Sequence, residues 1–291
     1  MSYTVEAYTK GDSKIVYPKF SVLITVYEKE NPNFLDASLA SIENQSIKPN
    51  EIVLVKDGPL NSELDKIIEK HSSLFKKQYK VIKSNKNRGR GAASQLGLSF
   101  VTNKWVARMD SDDISLPKRF ELQLKNIIED SEIKVIGGQI KEFENDPEFV
   151  IGERRVPTKS DDIKLYAQYR SPVNNPTVMM NTQAIRNIGG YSTANILEDY
   201  DLYVRMLTAG YKIVNTPEVL VKMRVDSGLY SRRGGKRYLL SYIKMKNTWR
   251  KMGIGTVKTM IISDISMLLN VLLPVSFRKL IYQKFLHRNK K

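Results

Sequence analysis

The chain has 291 residues, of which 41% are hydrophobic and 27% charged, so it can fold as one large globular domain or two small ones. It contains no cysteine, which excludes disulfides and thiolate-held metals, and any metal must be bound by oxygen atoms or by the two histidines. Its net charge of +16 favours anionic partners such as nucleic acid, anionic lipid or phosphorylated substrates, without choosing among them.

The start of the chain does not have the pattern of a secretory signal. Residues 1–20 lack an uninterrupted apolar stretch behind a basic start, and no later run reaches the roughly 18 apolar residues of a membrane span. We therefore expect a protein that stays in the cytoplasm or lies peripherally on the inner face of the cell membrane.

Buried strands alternate with amphipathic helices in the first half of the chain. The apolar runs Phe20–Val26 and Glu51–Val55 flank a helical pattern at Asn33–Glu43, which makes a β-α-β unit. The alternation continues with a helix near Ser62–Leu74, a strand at Tyr79–Lys83, a helix near Ala92–Val101 and a strand at Trp105–Met109. This order predicts a mostly parallel sheet with helices on both faces, which binds ligands at the carboxyl ends of its strands.

The second half is less regular. Ser115 is predicted to cap a helix with Pro117 in its first turn, and a strand is predicted at Lys134–Gly138. Residues 141–180 are rich in proline and are expected to hold mixed strands and a substrate-facing loop. An amphipathic helix is predicted to start at Asp199 and to stop at Gly210.

The C-terminal part differs in character from the rest. Residues 238–253 form a basic amphipathic pattern, and the apolar segment Thr259–Val275 is interrupted by polar residues and proline. That segment is too short and too polar to span a bilayer comfortably, and the tail after it carries basic but no acidic residues. We expect a helical extension on an anionic membrane surface; the alternative is a helical pair packed on the main domain or on a partner chain.

Three carboxylates follow the strand that ends at Met109. Asp110, Asp112 and Asp113 would repel one another at a strand end unless a cation is present. Mg²⁺ and Mn²⁺ bind carboxylate oxygens and can bind a diphosphate with their remaining positions. The carboxylates alone fit a solvated acidic turn equally well.

Several short blocks occur in a fixed order between Phe20 and Met252. They are SVLITVYE, IVLVKDG, NRGRGAASQLG, VARMDSDDISLPKRFELQ, NNPTVMM, GGY, LEDYDLYVRM, MRV and SRRGGKRY. Each block is weak evidence, whereas their shared order and strand-end placement are specific. The combination resembles the inverting family-2 glycosyltransferases with a GT-A fold, and in particular the bacterial enzymes that assemble capsular or exopolysaccharide repeat units.

This resemblance implies a fold and an activity. The fold is a GT-A-like domain with a Rossmann-type, mostly parallel sheet over residues 1–235, followed by a helical, membrane-associating extension over residues 236–291. The activity is transfer of a sugar, with inversion, from a UDP-sugar donor to a hydroxyl of an acceptor, which is expected to be a lipid-linked saccharide. The implied cofactor is Mn²⁺ or Mg²⁺.

The resemblance also assigns residues to the donor side. Those implied to contact the nucleotide sugar are Thr25, Val26, Tyr27, Glu28, Asp57, Arg90, Asp110, Asp112, Arg232 and Arg233. Asp57 would read the uracil ring, since a carboxylate can accept its imide N–H; the alternative is a turn residue before Gly58. Asp112 and Asp113 would be the metal- and ribose-binding pair, and Arg90 would neutralise phosphate unless it is only solvated.

On the acceptor side the resemblance points to Glu198 and Asp199. Inverting transfer needs one carboxylate to take the acceptor proton while the sugar leaves the diphosphate on the opposite face, and Asp199 is implied to be that general base. The alternative is that both acids are placed favourably at a helix N-terminus.

The sequence also departs from the family pattern. Asn174 and Asn175 stand where family members often have His, Asp226 stands in place of a later His, Lys56 replaces the first acid before Asp57, and Pro59 follows the glycine. These differences leave the donor's identity open but not the reaction class.

Two rival functions are compatible with parts of the sequence. A nucleotidyltransferase also combines an α/β sheet with metal-binding carboxylates, but it releases pyrophosphate. A nucleic-acid-binding protein is suggested only by the net charge, and we expect no nucleic-acid partner because neither a recognition helix nor an aromatic platform is evident. The transferred sugar, the linkage, the acceptor and a possible homo-oligomer are left open.

Overall fold

The computed structural model describes residues 15–193, 196–225 and 235–273. Its first half alternates strands and helices as predicted. The elements are β1 (Phe20–Val26), α1 (Pro32–Glu43), β2 (Glu51–Lys56), α2 (Ser62–Leu74), β3 (Tyr79–Lys83), α3 (Arg90–Phe100) and β4 (Trp105–Met109). These strands pair in parallel in the order β3-β2-β1-β4, so the predicted parallel block is confirmed.

The second half extends this block into a nine-stranded mixed sheet. The further elements are β5 (Ile114–Ser115), α4 (Arg119–Glu129), β6 (Ile133–Phe143), β7 (Val150–Arg154), α5 (Ser160–Tyr166), a 3-10 turn (Asn175–Thr177), β8 (Met179–Asn181), α6 (Thr182–Asn187), α7 (Glu198–Thr208), β9 (Lys212–Arg224), α8 (Lys236–Lys251) and α9 (Val257–Leu272). Strand β8 runs antiparallel between β4 and β6, whereas β9 runs parallel to β6. The proline-rich region therefore contributes mixed strands, as expected.

The predicted helix start at Ser115 is wrong. Ile114 and Ser115 form the short strand β5, which pairs antiparallel with β9, and α4 begins only at Arg119. The backbone N–H of Ser115 donates to Ser41 Oγ at 3.0 Å instead of entering a helix. The cause is a distant partner, because β9 offers the segment a hydrogen-bonding edge that local sequence does not reveal.

Strand β6 is longer than predicted, since it continues past Gly138 to Phe143. Two of its polar residues are buried with partners: Gln139 donates to the carbonyls of Val156 and Thr216, and Glu142 pairs with Arg154. Buried polar groups are tolerated when they are hydrogen-bonded in this way.

Two apolar layers cover the sheet. Alternating residues of β1 and β2 pack on one face against α1, α2 and α4, and the other residues pack on the opposite face against α3, α6 and α7. Gly97 of α3 lies so close to Leu23 of β1 that an added Cβ would overlap the leucine. This packing fixes the N-terminus of α3 relative to the ends of β1 and β2.

The two C-terminal helices pack on the rest of the protein through α7. Met245 and Trp249 of α8 form a small core with Tyr200 and Val204 of α7. Helix α9 packs against α8, and within the described residues no helix is long and apolar enough to cross a membrane.

Candidate active site

The carboxyl ends of three adjacent parallel strands bring most of the predicted donor residues together. Thr25 and Val26 end β1, Asp57 directly follows β2, and the acidic turn 110–113 follows β4. Since these strands are neighbours in register, the residues after them share one edge of the sheet.

Arg108 of β4 links two of these residues. It is fully buried, and its guanidinium donates to Thr25 Oγ1 at 2.8 Å and to Asp110 Oδ1 at 3.3 Å. In the sequence Arg108 only opens the acidic motif, and no role was predicted for it. A charged residue inside a buried strand is the signal that could have identified it, because such a charge needs partners.

The other residues of the β1 loop differ in exposure. The Val26 side chain is buried, so only its backbone can face a ligand, whereas Tyr27 and Glu28 are exposed. In the same loop, Glu30 accepts a hydrogen bond from Ser111 of the acidic turn. Glu30 was not predicted, and this contact brings a fourth carboxylate towards the turn.

Asp57 is buried and holds the loop that starts α3. Its two carboxylate oxygens accept the backbone N–H groups of Arg88 at 2.8 Å and Gly89 at 3.0 Å. Gly89 has φ +86°, a backbone conformation that other residues rarely adopt. Asp57 thereby fixes the position of Arg90, the first residue of α3.

The two acids predicted to bind metal lie in different surroundings. Asp112 is partly exposed, and burial together with the charges of Asp110 and Glu30 raises its pKa to about 7. Asp113 is only 2% exposed, and its Oδ1 accepts the backbone N–H of Arg224 at 2.8 Å. Burial and the neighbouring carboxylates raise the pKa of Asp113 well above its usual range.

Arg224, at the end of β9, closes the acidic turn from the other side. Its Nε donates to the Asp112 carbonyl at 3.2 Å, and its guanidinium lies over the ring of Phe34, 3.6 Å from the centroid. Arg224 was not identified from the sequence, because more than a hundred residues separate it from the acidic turn.

These surroundings suit a divalent cation at Asp112. Several carboxylates crowd one turn, and their negative charge, which a cation would neutralise, adds to burial in raising the pKa of Asp112. Among the described residues, however, no three Asp, Glu or His side chains are arranged to hold a metal by themselves.

The acceptor-side acids begin α7 and meet Arg90. Glu198 is 4% exposed and forms an ion pair with Arg90 Nε, while Asp199 Oδ2 lies 3.9 Å from an Arg90 terminal nitrogen. Burial and Asp199 raise the pKa of Glu198, and Arg90 opposes that rise. Arg90, which the Asp57-held loop places after the end of β2, thus contacts both acceptor-side acids.

Two departures from the family pattern have structural partners. Asn174 is buried and donates to the Gly138 carbonyl at 2.9 Å, and Asn175 Oδ1 accepts the Tyr203 hydroxyl at 2.9 Å. Lys56 forms an ion pair with Asp65 of α2. Arg232, Arg233 and Asp226 lie outside the described residues.

Comparison with known proteins identifies the family. The model for glycosyl transferase family 2 matches residues 21–188. The chain belongs to this family. Over 93% of its length it is 35% identical to the UDP-Gal:alpha-D-GlcNAc-diphosphoundecaprenol beta-1,3-galactosyltransferase of Escherichia coli, 98% of which is covered. Over 91% of its length it is 32% identical to the amylovoran biosynthesis glycosyltransferase AmsE of Erwinia amylovora, 98% of which is covered.

A solved structure supports the same conclusion for the fold. The mannosyltransferase PcManGT of Pyrobaculum calidifontis, in complex with GDP-Man and Mn²⁺, superimposes with a TM-score of 0.61 at 13% identity, covering 92% of this chain and 85% of that one. The protein is thus a family 2 glycosyltransferase with the GT-A fold, as the sequence blocks implied.

Proposed function

We propose that this glycosyltransferase moves a sugar, with inversion, from a UDP-sugar to a hydroxyl of a lipid-linked saccharide. The observation that carries the proposal is the contact of Arg90, which the Asp57-held loop places after the end of β2, with Glu198 and Asp199 at the start of α7. A phosphate-binding cation and a candidate proton acceptor therefore lie close together, as inverting transfer requires when the leaving group and the base flank one sugar.

On the donor side, the nucleotide would lie across the ends of β1 and β2. Thr25, Val26, Tyr27 and Glu28 would flank it, and Asp57 would accept the uracil imide N–H with lone pairs left free by its two backbone partners. Arg90, Arg232 and Arg233 would neutralise the diphosphate. A uridine nucleotide is favoured because the E. coli relative uses UDP-Gal.

Mn²⁺ or Mg²⁺ would be held by Asp112, with Asp113 as the second member of the metal- and ribose-binding pair and Asp110 as a supporting neighbour. Asp113 already binds Arg224 through one oxygen, which makes the partly exposed Asp112 the better placed of the pair. A divalent cation bound there would stabilise the charge that develops on the departing nucleoside diphosphate. Oxygens of the diphosphate would complete its coordination.

On the acceptor side, Asp199 would act as the general base. Its side chain is 22% exposed, whereas Glu198 is buried in its ion pair with Arg90. As the acceptor oxygen attacks the anomeric carbon, the bond from that carbon to the diphosphate breaks and the acceptor proton passes to Asp199. Attack from the face opposite the diphosphate inverts the anomeric centre.

The proposal is tested by incubating the protein with a panel of nucleotide sugars and Mn²⁺ and measuring the products. Slow hydrolysis of one donor to UDP and free sugar is expected, and this reaction does not require the acceptor to be known. Release of pyrophosphate from a sugar phosphate and UTP would instead favour a nucleotidyltransferase. A protein that hydrolyses no nucleotide sugar, with or without metal, would contradict the proposal.

We further propose that residues 236–291 bind the anionic inner face of the cell membrane, where a lipid-linked acceptor would be found. Helix α9 buries Thr259 and Ser263 and exposes an apolar stripe on its opposite side. The members of this stripe, spaced as on one helical face, are Val257, Ile261, Ile262, Ile265, Leu268, Leu269 and Leu272. Exposed basic residues accompany it on α8 and at Lys258, and that combination is typical of helices that lie in a membrane interface.

A further inference from the structure

The loop between α6 and α7 is held firmly against the N-terminus of α3. Tyr191 follows Gly189 and Gly190, which have φ values of +85° and +73°, and its backbone N–H donates to Gln95 Oε1 at 2.8 Å. A Cβ at Gly190 would overlap the same glutamine, and a Cβ at Gly91 would overlap the carbonyl of Ser192. The backbone of Tyr191 therefore has little freedom beside Arg90.

A second set of contacts fixes the loop from α7. Arg205 donates from its two terminal nitrogens to the carbonyls of Ile188 and Gly190, each at 2.7 Å. Asp201 accepts from Arg205 Nε at 2.8 Å and orients it. The same helix carries Glu198 and Asp199 at its start, so Tyr191 and the proposed base are anchored to one element.

The Tyr191 side chain is 4% exposed, and its ring belongs to the core on the α3 face of the sheet. Its hydroxyl has no hydrogen-bond partner among the described residues. Two buried tyrosines of α7 differ: the Tyr200 hydroxyl donates to the Ala167 carbonyl at 2.6 Å, and that of Tyr203 to Asn175 at 2.9 Å. A buried hydroxyl without a partner is unfavourable, so this one suggests a ligand atom that completes it.

Tyr191 lies next to the groups that meet at the start of α3. A Cβ at Gly91, which follows Arg90, would be 2.4 Å from the carbonyl of Ser192 and 3.2 Å from the Cβ of Glu198. Burial, together with the charges of Asp199, Asp110 and Glu198, raises the pKa of Tyr191 to about 12, against the effect of Arg108. The phenol is therefore neutral at physiological pH and can donate a hydrogen bond.

We propose that the Tyr191 hydroxyl binds a hydroxyl group of the sugar being transferred and so contributes to donor selection. This inference rests on the proposed function, in which the sugar lies between the nucleotide and the base. A residue that lies beside the N-terminus of α3 and Glu198 is then beside the sugar. A neutral phenol suits a sugar hydroxyl, whereas the charged Arg90 suits phosphate.

The test is Tyr191→Phe, which removes the hydroxyl and keeps the ring. We expect the melting temperature to stay level or rise, since an unpartnered polar atom is lost. Affinity for UDP, which lacks the sugar, should be unchanged. The kcat/KM for the preferred UDP-sugar should fall by about 3- to 10-fold, and the preference over an epimeric donor that differs in one hydroxyl should narrow.

Tyr79→Phe is the matched control. The Tyr79 hydroxyl donates to Glu43 at 2.5 Å, away from the site, so its removal should lower stability and leave donor preference intact. Unchanged kcat/KM and donor preference in Tyr191→Phe would overturn the inference, as would an equal loss of UDP affinity. If the unmodified protein hydrolyses no UDP-sugar at all, the proposed function itself fails, which is a distinct result.

Discussion

The indole N–H of Trp249 donates a 3.0 Å hydrogen bond to Asp201 Oδ1, one turn from the acids that begin α7. The indole ring also lies 4.3 Å from the ring of Tyr200. Helix α8 therefore supports the helix that carries Glu198 and Asp199. The extension predicted to start at residue 236 therefore helps to position the helix that carries the acceptor-side acids. This role does not depend on what the outer surface of the extension binds.

Trp249→Ala should strongly destabilise the protein. Trp249 is completely buried, and removing a large buried aromatic side chain typically costs about 3–5 kcal/mol in unfolding free energy. Urea denaturation checks this. Leu269→Ala, on the exposed side of α9, is the control and should change stability little. Equal effects of the two substitutions would contradict the supporting role of α8.

Asp112→Asn should abolish metal-dependent donor binding while leaving the fold intact, because an amide is a poorer ligand for a hard cation. Calorimetric titration of UDP with and without Mn²⁺ measures this. Asp113→Asn should also weaken metal-dependent binding, and it should lower the melting temperature because Asp113 anchors Arg224. If both variants kept the Mn²⁺-dependent affinity of the parent, the metal assignment would be wrong.

Charge on the exposed stripe of α9 should prevent membrane binding. Ile265→Asp combined with Leu269→Asp should stop the protein from sedimenting with anionic liposomes, yet donor hydrolysis should persist because the stripe is distant in sequence from the site residues. Phe149→Asp is the control, since Phe149 is also exposed but lies at the start of the β7 hairpin. If the unmodified protein ignores anionic liposomes at low salt, packing on a partner chain becomes the better explanation of the stripe.

The contacts of His71 in α2 with Glu43 and Asp36 in α1 predict that the stability of the protein depends on pH. Burial lowers the pKa of His71, but its hydrogen bonds to Glu43 at 2.8 Å and Asp36 at 2.9 Å outweigh burial and raise it. The contribution of His71 is therefore complete below the unfolded histidine pKa of about 6.5 and is lost as pH rises through the higher folded value.

Urea denaturation of the parent and of His71→Gln across this pH range measures the effect. The difference in unfolding free energy between the two proteins should be largest at acidic pH and should shrink as pH rises. If the difference in unfolding free energy grew with pH instead, His71 would be neutral in the folded protein.

The local sequence was sufficient to predict an element wherever the hydrophobic pattern of that element alone determines its structure. The uninterrupted β-branched runs of β1 and β2 identified the parallel block, and the residues after these strands could be placed at one edge. Strand β9 was not predicted because it contains Pro217, which argues against a strand inside a sheet, and the error at Ser115 followed from missing β9. Arg224 could not be identified for the same reason, since its contacts with the acidic turn depend on the pairing of distant strands.

Asp199→Asn should lose transfer while keeping UDP and metal binding near the parent value. An amide has nearly the shape of the carboxylate but cannot accept the acceptor proton, so the loss should appear in turnover and not in donor affinity. Removal of a general base typically lowers the rate by about 10²- to 10⁴-fold. Steady-state transfer to a lipid-linked acceptor measures turnover, and calorimetric titration of UDP measures donor affinity.

Glu198→Gln is the neighbouring control and should act differently, because Glu198 holds Arg90 in an ion pair and its loss should weaken diphosphate binding. An inactive Glu198→Gln beside an active Asp199→Asn would move the base to Glu198, and loss of UDP affinity in Asp199→Asn would assign Asp199 to the donor site.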